Sequence, residues 1–344
     1  MTGKAAGTSR AARTGGAART GGTGEAAGTG EAARTGGAAG QGRGGGRPTV
    51  GFVGLGQMGA PMAARLADWP DGLVVYDVRA EAMRPLAEAG ARAAASIAEV
   101  AATAGIISVM VRDDDQVREV VRAIADAIAG RQGHAHLVVA IHSTIAADTA
   151  PALAAEVASR GVEVVDAPVS GGFMGAHDGR LAVMLGGSRA AYERCREPFG
   201  RWADLVLHMG PAGAGTRAKL ARNLLHFAAF TAAAEAQRLA EAAGIDLRKL
   251  ARVVRHSDAV TGGPGAIMLR PTTAPLAAGD PLRPMLEHVA ALGEKDLGLA
   301  LGLGAELGID LPLAAFARAH FATGLGLGHG PAGDRHDEEL PHDR

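Results

Sequence analysis

Apolar and polar positions recur along the chain in two different rhythms, which divide it into four regions. Residues 1–47 are glycine, alanine, threonine and arginine with almost nothing to bury. From 48 to 211, short apolar runs alternate with amphipathic stretches, whereas from 212 to 325 apolar positions recur only at helical spacing. Residues 326–344 are polar. We predict a disordered tail, an α/β domain, an all-α domain and a second disordered tail.

Strands and helices alternate in the predicted α/β domain. The strands are expected at residues 49–54, 72–76, 91–94, 105–110, 136–141, 162–167, 179–185 and 203–208. The intervening helices are expected at about 59–68, 80–90, 96–103, 114–129 and 188–199. This repetition predicts a doubly wound, Rossmann-type parallel sheet, whose ligands gather at the carboxyl ends of the strands. Met110 and Val111 lie at one such end and are expected to contact a cofactor.

A glycine-rich turn follows the first predicted strand. Gly54, Gly56 and Gly59 form G-x-G-x-x-G, with Gln57 and Met58 between the last two glycines. In such a turn the first glycine allows a tight bend, the second lets a pyrophosphate approach the backbone, and the third lets helix and strand pack closely. The free N–H groups of the helix then face the phosphates. The pattern predicts a dinucleotide site.

An acidic residue ends the second predicted strand. Asp77 lies eighteen residues after Gly59, close to the spacing at which a carboxylate binds the ribose hydroxyls of adenosine. A carboxylate there repels a 2′-phosphate, so we predict NAD as the cofactor. Arg79 lies two residues further on, and its charge leaves NADP as the alternative.

Two further segments of the α/β domain have more than one interpretation. Ser170 and the N–H groups of Gly171 and Gly172 form either a nest for a carboxylate or an ordinary turn. The three acids at 113–115 open a predicted helix, and we expect them to cap it rather than to bind a metal. The single cysteine, Cys195, excludes an intrachain disulfide and a cysteine-rich metal site, and we expect it in the core.

The all-α domain opens with a long helix predicted over 216–243. Lys219 and Asn223 are four residues apart and share a face. A lysine near a helix start faces the positive end of the dipole, which lowers its pKa and suits acid–base chemistry. Only four of the 35 basic residues are lysines, which indicates that a titratable amine was needed here. Taken alone, the position is more typical of a solvated lysine; the neighbouring motifs change that interpretation.

Together these motifs resemble the β-hydroxyacid dehydrogenase family, which includes 3-hydroxyisobutyrate dehydrogenase and tartronate semialdehyde reductase. The resemblance runs from about residue 49 to 323. Residues 51–59 resemble the cofactor signature, 166–172 the substrate-binding segment and 213–223 the catalytic segment. Lys295, followed by an aspartate, falls where the family has a Lys-Asp pair near the active site.

The resemblance implies a role for each matching residue. Lys219 would be the general acid/base, and Asn223 would orient the substrate. Ser170 and the two glycines after it would hold the substrate carboxylate. Thr144, the second residue of a Ser-Thr pair, would lie at the cofactor–substrate junction, and Lys295 would approach the nicotinamide.

Three departures from the family pattern leave the identity of the hydroxyacid open. Arg222 stands where the family often has a second asparagine, and Ile141 stands where it often has an acid. Residues 256–275 match no family pattern. These positions bear on the size and charge of the substrate pocket more than on the chemistry.

We therefore predict an NAD-dependent 3-hydroxyacid dehydrogenase that acts on a small anionic hydroxyacid. The resemblance and the alanine- and leucine-rich helix at 216–243 also imply a homo-oligomer, a dimer or tetramer, formed through the helical domain. The rival interpretations are an imine reductase-like enzyme and a non-catalytic binding protein with a degenerate dehydrogenase domain. Both would be expected to lack Lys219.

Composition limits the binding partners and the cellular compartment that we expect for the protein. The net charge of −1 argues against a protein built to hold nucleic acid or a membrane surface. The basic tail at 1–47 has no aromatic residue for base stacking, so we predict no specific nucleic-acid partner. The cysteine content, with no apolar run of membrane length and no secretory signal, predicts a cytoplasmic protein.

Overall fold

The computed structural model describes residues 47–129 and 137–328, which belong to one compact unit. Residues 329–344 of the predicted C-terminal tail, all of the N-terminal tail except its last residue, and the first residue of the strand predicted over 136–141 lie outside the described residues. Residues 326–328 are described, and Leu327 is buried. The domain boundaries at 211 and 325 stay predictions. Within the described range, a mostly parallel sheet with helices is followed by an all-helical region, as predicted.

Nine strands form one sheet in the described part of the chain. They are β1 Val50–Val53, β2 Leu73–Tyr76, β3 Arg92–Ala93, β4 Ile106–Val109, β5 Leu137–Ile141, β6 Val162–Asp166, β7 Val169–Ser170, β8 Leu181–Gly186 and β9 Ala203–Gly210. Their order is β3-β2-β1-β4-β5-β6-β8-β7, and β9 pairs with β8. Strands β1 to β6 are parallel, each in register with its neighbour.

The sheet departs from the prediction at β8. This strand runs antiparallel to both β6 and β7, whereas a wholly parallel sheet was expected. Only residues 171–180 connect β7 to β8, which is too short for the crossover that a parallel pair requires. The chain therefore folds back, and this reversal brings the start of the next region against the carboxyl end of β6.

Seven helices cover the faces of the sheet. They are α1 Gly59–Ala64, α2 Ala80–Glu88, α3 Ile97–Thr103, α4 Asp114–Ile128, α5 Thr149–Val157, α6 Gly172–Asp178 and α7 Arg189–Phe199. Helix α1 ends four residues before the expected position, and α5 and α6 were not predicted. Helix α5 is rich in alanine and contains Pro151, so its apolar periodicity is weak. Helix α6 begins with glycine and has one buried residue.

The core consists of two apolar layers, one on each face of the sheet. Consecutive residues of β1 enter opposite layers: Phe52 packs with Phe199 and Trp202, and Val53 packs with the residues of α3 and α4. This alternation is the period of two that a strand imposes. Both layers are apolar because helices cover both faces, which explains the uninterrupted apolar runs in the sequence.

Four α-helices form the C-terminal region as far as the structure describes it. They are α8 Ala214–Ala242, α9 Leu247–Thr261, α10 Arg283–Leu307 and α11 Pro312–Gly324. Helix α8 begins two residues before the predicted start, and α9 continues five residues past the end at residue 256 that its apolar spacing predicts. The Glu235 carboxylate accepts the N–H groups of Leu313 and Ala314, and this ties α8 to the first turn of α11. No helix in the described ranges is long and apolar enough to cross a membrane.

One buried histidine, the residue directly after β5, is held in its neutral form. His142 lies against the rings of Phe52, Phe199 and Trp202. Its Nδ1 contacts the Ala167 carbonyl at 2.7 Å, so Nδ1 must carry the proton, and the Ser108 hydroxyl donates to Nε2 at 3.0 Å. Burial lowers the pKa of His142 to about 4.

This histidine is expected to make the fold sensitive to acid. In the unfolded chain the ring takes a proton near pH 6.5, whereas in the folded protein it does so near 4. The stabilisation is therefore complete above pH 6.5 and is lost as pH falls towards 4. Between pH 7.5 and 5 the free energy of unfolding should fall by about 2 kcal/mol from this group alone.

Urea unfolding of the wild type and His142→Asn at the two pH values checks this prediction. Asparagine keeps a donor for the Ala167 carbonyl but does not titrate, so the variant should lose less stability on acidification. The exposed His177→Asn variant is the matched control and should behave as the wild type. Equal acid sensitivity in all three proteins would contradict the assignment.

Candidate active site

The order of the strands creates a crevice beside β1. Strand β1 lies between β2 and β4, so the chain leaves it in one direction and later returns on its other side. At such a switch point the loops after the two adjacent strands diverge and leave room for a ligand. Here Gly54 follows β1 and Met110 follows β4.

A cleft of about 730 Å³ occupies this switch point. Nine of the eleven residues predicted to bind a cofactor line it: Gly54, Gly56, Gln57, Met58, Gly59, Asp77, Arg79, Met110 and Val111. Thr144 and Lys295 do not line this cleft. Thr144 is exposed in the loop after β5, and Lys295 is exposed on α10 with its Nζ 2.9 Å from Asp296. Their cofactor contacts stay predictions.

The glycines of the first turn are required by close backbone approaches. A Cβ at Gly54, where φ is 92°, would lie 2.3 Å from the Met110 carbonyl oxygen. A Cβ at Gly59 would lie 2.0 Å from the Gly54 carbonyl oxygen. A Cβ at Gly56 would have no other group within 4 Å, so that side of the backbone faces open space. This cradle fits a dinucleotide pyrophosphate.

Asp77 directly follows β2, and both of its carboxylate oxygens accept hydrogen bonds. One oxygen accepts the Leu55 N–H at 2.7 Å, and the other accepts the Arg79 N–H at 2.9 Å and its Nε at 3.3 Å. Burial favours the neutral acid, but these hydrogen bonds and the Arg79 charge outweigh it, so the pKa of Asp77 lies below its usual range. Asp77 is therefore a fixed negative charge, and Arg79 lies exposed against it.

Ser143 fixes the loop after β4, a role that the sequence did not reveal. Its hydroxyl donates to the Val111 carbonyl at 2.6 Å and accepts the Val111 N–H at 3.0 Å. The side chain is buried, although its neighbour Thr144 was the residue assigned to the site. Reciprocal hydrogen bonds of this kind hold the cleft wall at Val111 in one position.

The three consecutive acids mainly order the start of α4. Asp113 accepts the Gln116 N–H at 2.9 Å and so caps the helix, as expected. Asp114 accepts the Thr149 hydroxyl and the Ala146 N–H, and this joins α4 to the start of α5.

Cys195 is buried in the core, as expected, and burial raises its pKa to about 12.

The long helix α8 begins on a carboxylate from the sheet. Asp166, fully buried at the end of β6, accepts the Gly213 N–H at 2.6 Å and the Thr216 N–H at 2.5 Å. Helix α8 has no side-chain cap of its own, because its N-cap residue is Gly213. The strand therefore supplies the cap, and the carboxylate lies at the positive end of the helix dipole.

Two glycines allow α8 to start this close to the sheet. A Cβ at Gly215 would lie 2.1 Å from the Met184 carbonyl oxygen, and one at Gly186 would lie 2.5 Å from an Asp166 carboxylate oxygen. The contact therefore depends on bare backbone from both elements.

The cap brings Lys219 to the predicted substrate-binding segment. Its Nζ donates to the Val169 carbonyl at 2.6 Å, immediately before Ser170. Burial lowers the pKa of Lys219, and the charge of Arg222 lowers it further. Asn223 lies one turn along the same face, and its Oδ1 accepts Nη1 of Arg222 at 3.3 Å. The structure therefore joins the two motifs across 50 residues of sequence.

The Ser170–Gly172 segment has the backbone of a tight turn. Gly171 and Gly172 have φ values of 132° and 66°, in the region that favours glycine. Both glycines are exposed, and Ser170 is half-buried. The segment joins β7 to α6 and directly follows the carbonyl that accepts the Lys219 amine.

The switch-point cleft, the glycine turn and the acid at the end of β2 define an oxidoreductase of the nicotinamide-dinucleotide-binding class. Residues 49–210 match the family model for the NAD binding domain of 6-phosphogluconate dehydrogenase. Residues 213–337 match the model for the NAD-binding domain of NADP-dependent 3-hydroxyisobutyrate dehydrogenase. The cofactor is therefore NAD or NADP.

Relatives of known name extend along most of the chain. An uncharacterized oxidoreductase of Mycobacterium tuberculosis is 57% identical over 82% of this chain and 95% of its own length. A 3-hydroxyisobutyrate dehydrogenase of Pseudomonas aeruginosa is 32% identical over 79% of this chain and 91% of its own length. The chain belongs to the β-hydroxyacid dehydrogenase family.

Solved structures agree with the fold. A Mycobacterium avium structure, 53% identical, covers 82% of this chain and 100% of that chain with a TM-score of 0.76. A Streptomyces aurantiacus imine reductase, 21% identical, covers 81% of this chain and 95% of that chain with a TM-score of 0.63. The second similarity shows a shared fold alone.

Proposed function

We propose that the protein is an NAD-dependent dehydrogenase of a small β-hydroxyacid, with Lys219 as its general acid/base. The observation that carries this proposal is the contact of the Lys219 amine with the Val169 carbonyl, beside Ser170, in a setting that lowers the pKa of the amine. A neutral amine is a base of useful strength, and burial raises the neutral fraction at working pH.

Each part of the site then has one task. The glycine turn at 54–59 and Asp77 hold the dinucleotide, and the bound nicotinamide supplies the hydride acceptor. The N–H groups of Gly171 and Gly172, with the Ser170 hydroxyl, hold the substrate carboxylate. Lys219 takes the hydroxyl proton during oxidation and returns it during reduction.

The principal alternative is an imine reductase-like enzyme. Imine reduction uses the same fold, and the structural similarity at 21% identity does not separate the two reactions. A lysine with a lowered pKa beside a carboxylate-binding turn favours an alcohol with an acid group. The test is therefore the lysine itself.

Replacing Lys219 with alanine is expected to reduce kcat for hydroxyacid oxidation by at least about 100-fold, the lower range for a general acid/base. Lys219→Arg should be nearly as damaging, because a guanidinium does not give up its proton at working pH. NADH binding, followed by fluorescence titration, should change little, since the dinucleotide cleft is lined by other residues.

Lys249→Ala, at an exposed lysine of α9, is the matched control. Activity of the wild type should also rise with pH as Lys219 loses its proton. Near-normal kcat in both Lys219 variants would contradict the assignment of Lys219 as the general acid/base, whichever substrate is used.

We also propose that NAD is preferred to NADP. Asp77 is ionised and would lie against a 2′-phosphate, but Arg79 already neutralises part of that charge. The preference should therefore be clear in kcat/KM and should widen in Arg79→Gln, which removes the cation. Arg112→Gln, in the same cleft and paired with Asp113, is the control. A preference for NADP in the unmodified protein would contradict the assignment of Asp77.

A homo-oligomer is the third part of the proposal. Leu224, Phe227 and Phe230 on α8 are 74%, 58% and 59% exposed, and Leu220 continues the same row. A contiguous apolar surface of this kind indicates a protein contact. The helices that the structure describes leave it uncovered, so a second copy that presents the same row is the simplest partner.

Leu224→Glu is expected to shift the protein from oligomer to monomer in sedimentation at micromolar concentration. A charge in the middle of an apolar contact cannot be paired there and should abolish association. Val78→Glu, at an apolar residue that is 87% exposed in the α/β region, should leave the oligomer intact. A wild-type monomer at that concentration would refute this part.

A further inference from the structure

Arg222 is a cation close to Lys219, the proposed base. The proposed reaction assigns no role to Arg222. It lies three residues after Lys219 on α8, and its charge acts on the lysine strongly enough to lower the pKa. Its Nη1 donates to Asn223 at 3.3 Å, and within the described residues no carboxylate forms an ion pair with it. The side chain is exposed.

The positive charge extends along the first part of α8. Between Ala214 and Ala234 the helix carries Arg217, Lys219 and Arg222 but no acid. The next carboxylate, Glu235, is buried and bound to the first turn of α11. Asp166 is occupied by two helix N–H groups. Arg222 lies about 60° around the helix from Lys219, and within the described residues neither of these carboxylates is free to pair with it.

A substrate with a single carboxylate leaves Arg222 unused, because the Ser170–Gly172 turn already serves that group. We propose that Arg222 binds a second anionic group of the substrate, a carboxylate or a phosphate, so that the preferred substrate is a β-hydroxyacid with two acidic groups. This inference rests on the proposed function. Guanidinium is suited to either group because its donors match two oxygens at once.

Arg222 also depresses the pKa of Lys219, and the experiment must separate that effect from binding. A changed pKa alters the rate for every substrate at a given pH by the same factor, whereas a lost contact alters only the dianionic substrate. The ratio of kcat/KM for two substrates at one pH therefore isolates the contact.

Four related alcohols provide the comparison. They are 3-hydroxyisobutyrate, 2-(hydroxymethyl)butanedioate, the 4-amide of that diacid, which keeps only the carboxylate at C1, and the analogue with a phosphate ester on the side chain. The wild type should favour one of the dianions over the amide by about 10- to 100-fold, the range for hydrogen bonds to charged groups. The dicarboxylate and the phosphate arms show which group is preferred.

Arg222→Gln should reduce that ratio to near one, and Arg222→Lys should restore part of it. Arg217→Gln removes the same charge from the same helix and is the matched control. The Arg217 guanidinium lies near Gly213, beside Pro151 of α5, two residues and about 200° around the helix from Lys219. Its ratio should equal that of the wild type.

Equilibrium binding separates this inference from the proposed reaction. Calorimetric titration of the NADH complex with 2-methylbutanedioate and with isobutyrate, which lack the hydroxyl, measures the second anionic contact without turnover. Tighter binding of the diacid that disappears in Arg222→Gln supports the inference even if no alcohol is oxidised. Equal binding of the two acids, or efficient oxidation without preference for a dianion, overturns it while the dehydrogenase proposal stands.

Discussion

The site depends on the hydrogen bonds that N–H groups at the start of α8 donate to the Asp166 carboxylate. They join the end of β6 to the helix that carries the catalytic candidates, and they replace a local cap that Gly213 does not provide. The same strand end leads into the segment whose carbonyl receives the Lys219 amine. One buried carboxylate therefore sets the direction of the helix and, through it, the place of the amine.

The two ends of the site differ in the charges of their side chains. At the dinucleotide end, Asp77 is fixed by two backbone donors and partly neutralised by Arg79, so the local field is mixed. At the proposed substrate end, the first part of α8 carries arginine and lysine, and Asp166, the acid at its start, is occupied by the backbone. The exposed arginines of this part of the helix therefore place positive charge at the surface, which suits anionic ligands.

The sequence predicted well those features whose physics is local. The turn at 54–59 could be recognised because its three glycines stand at a fixed spacing directly after an apolar run, and the shared face of Lys219 and Asn223 follows from helical periodicity alone. The antiparallel β8, the Asp166 cap and the Ser143 clamp were not predictable, since each depends on partners far away in the chain. Asp166 and Thr216, for instance, are 50 residues apart. Helix α5 was missed because its alanines carry little periodic signal.

Helix α8 is held by a carboxylate near each end: Asp166 accepts its first N–H groups, and its own Glu235 accepts those of α11. Between these anchors each residue advances the helix by about 100°. Inserting or deleting a single residue there would turn Lys219 away from the Val169 carbonyl or pull Glu235 from its partners, because both ends cannot be kept in register. The length of this segment is therefore fixed even where its side chains are free to vary, and natural variants should differ here by substitution and not by insertion or deletion.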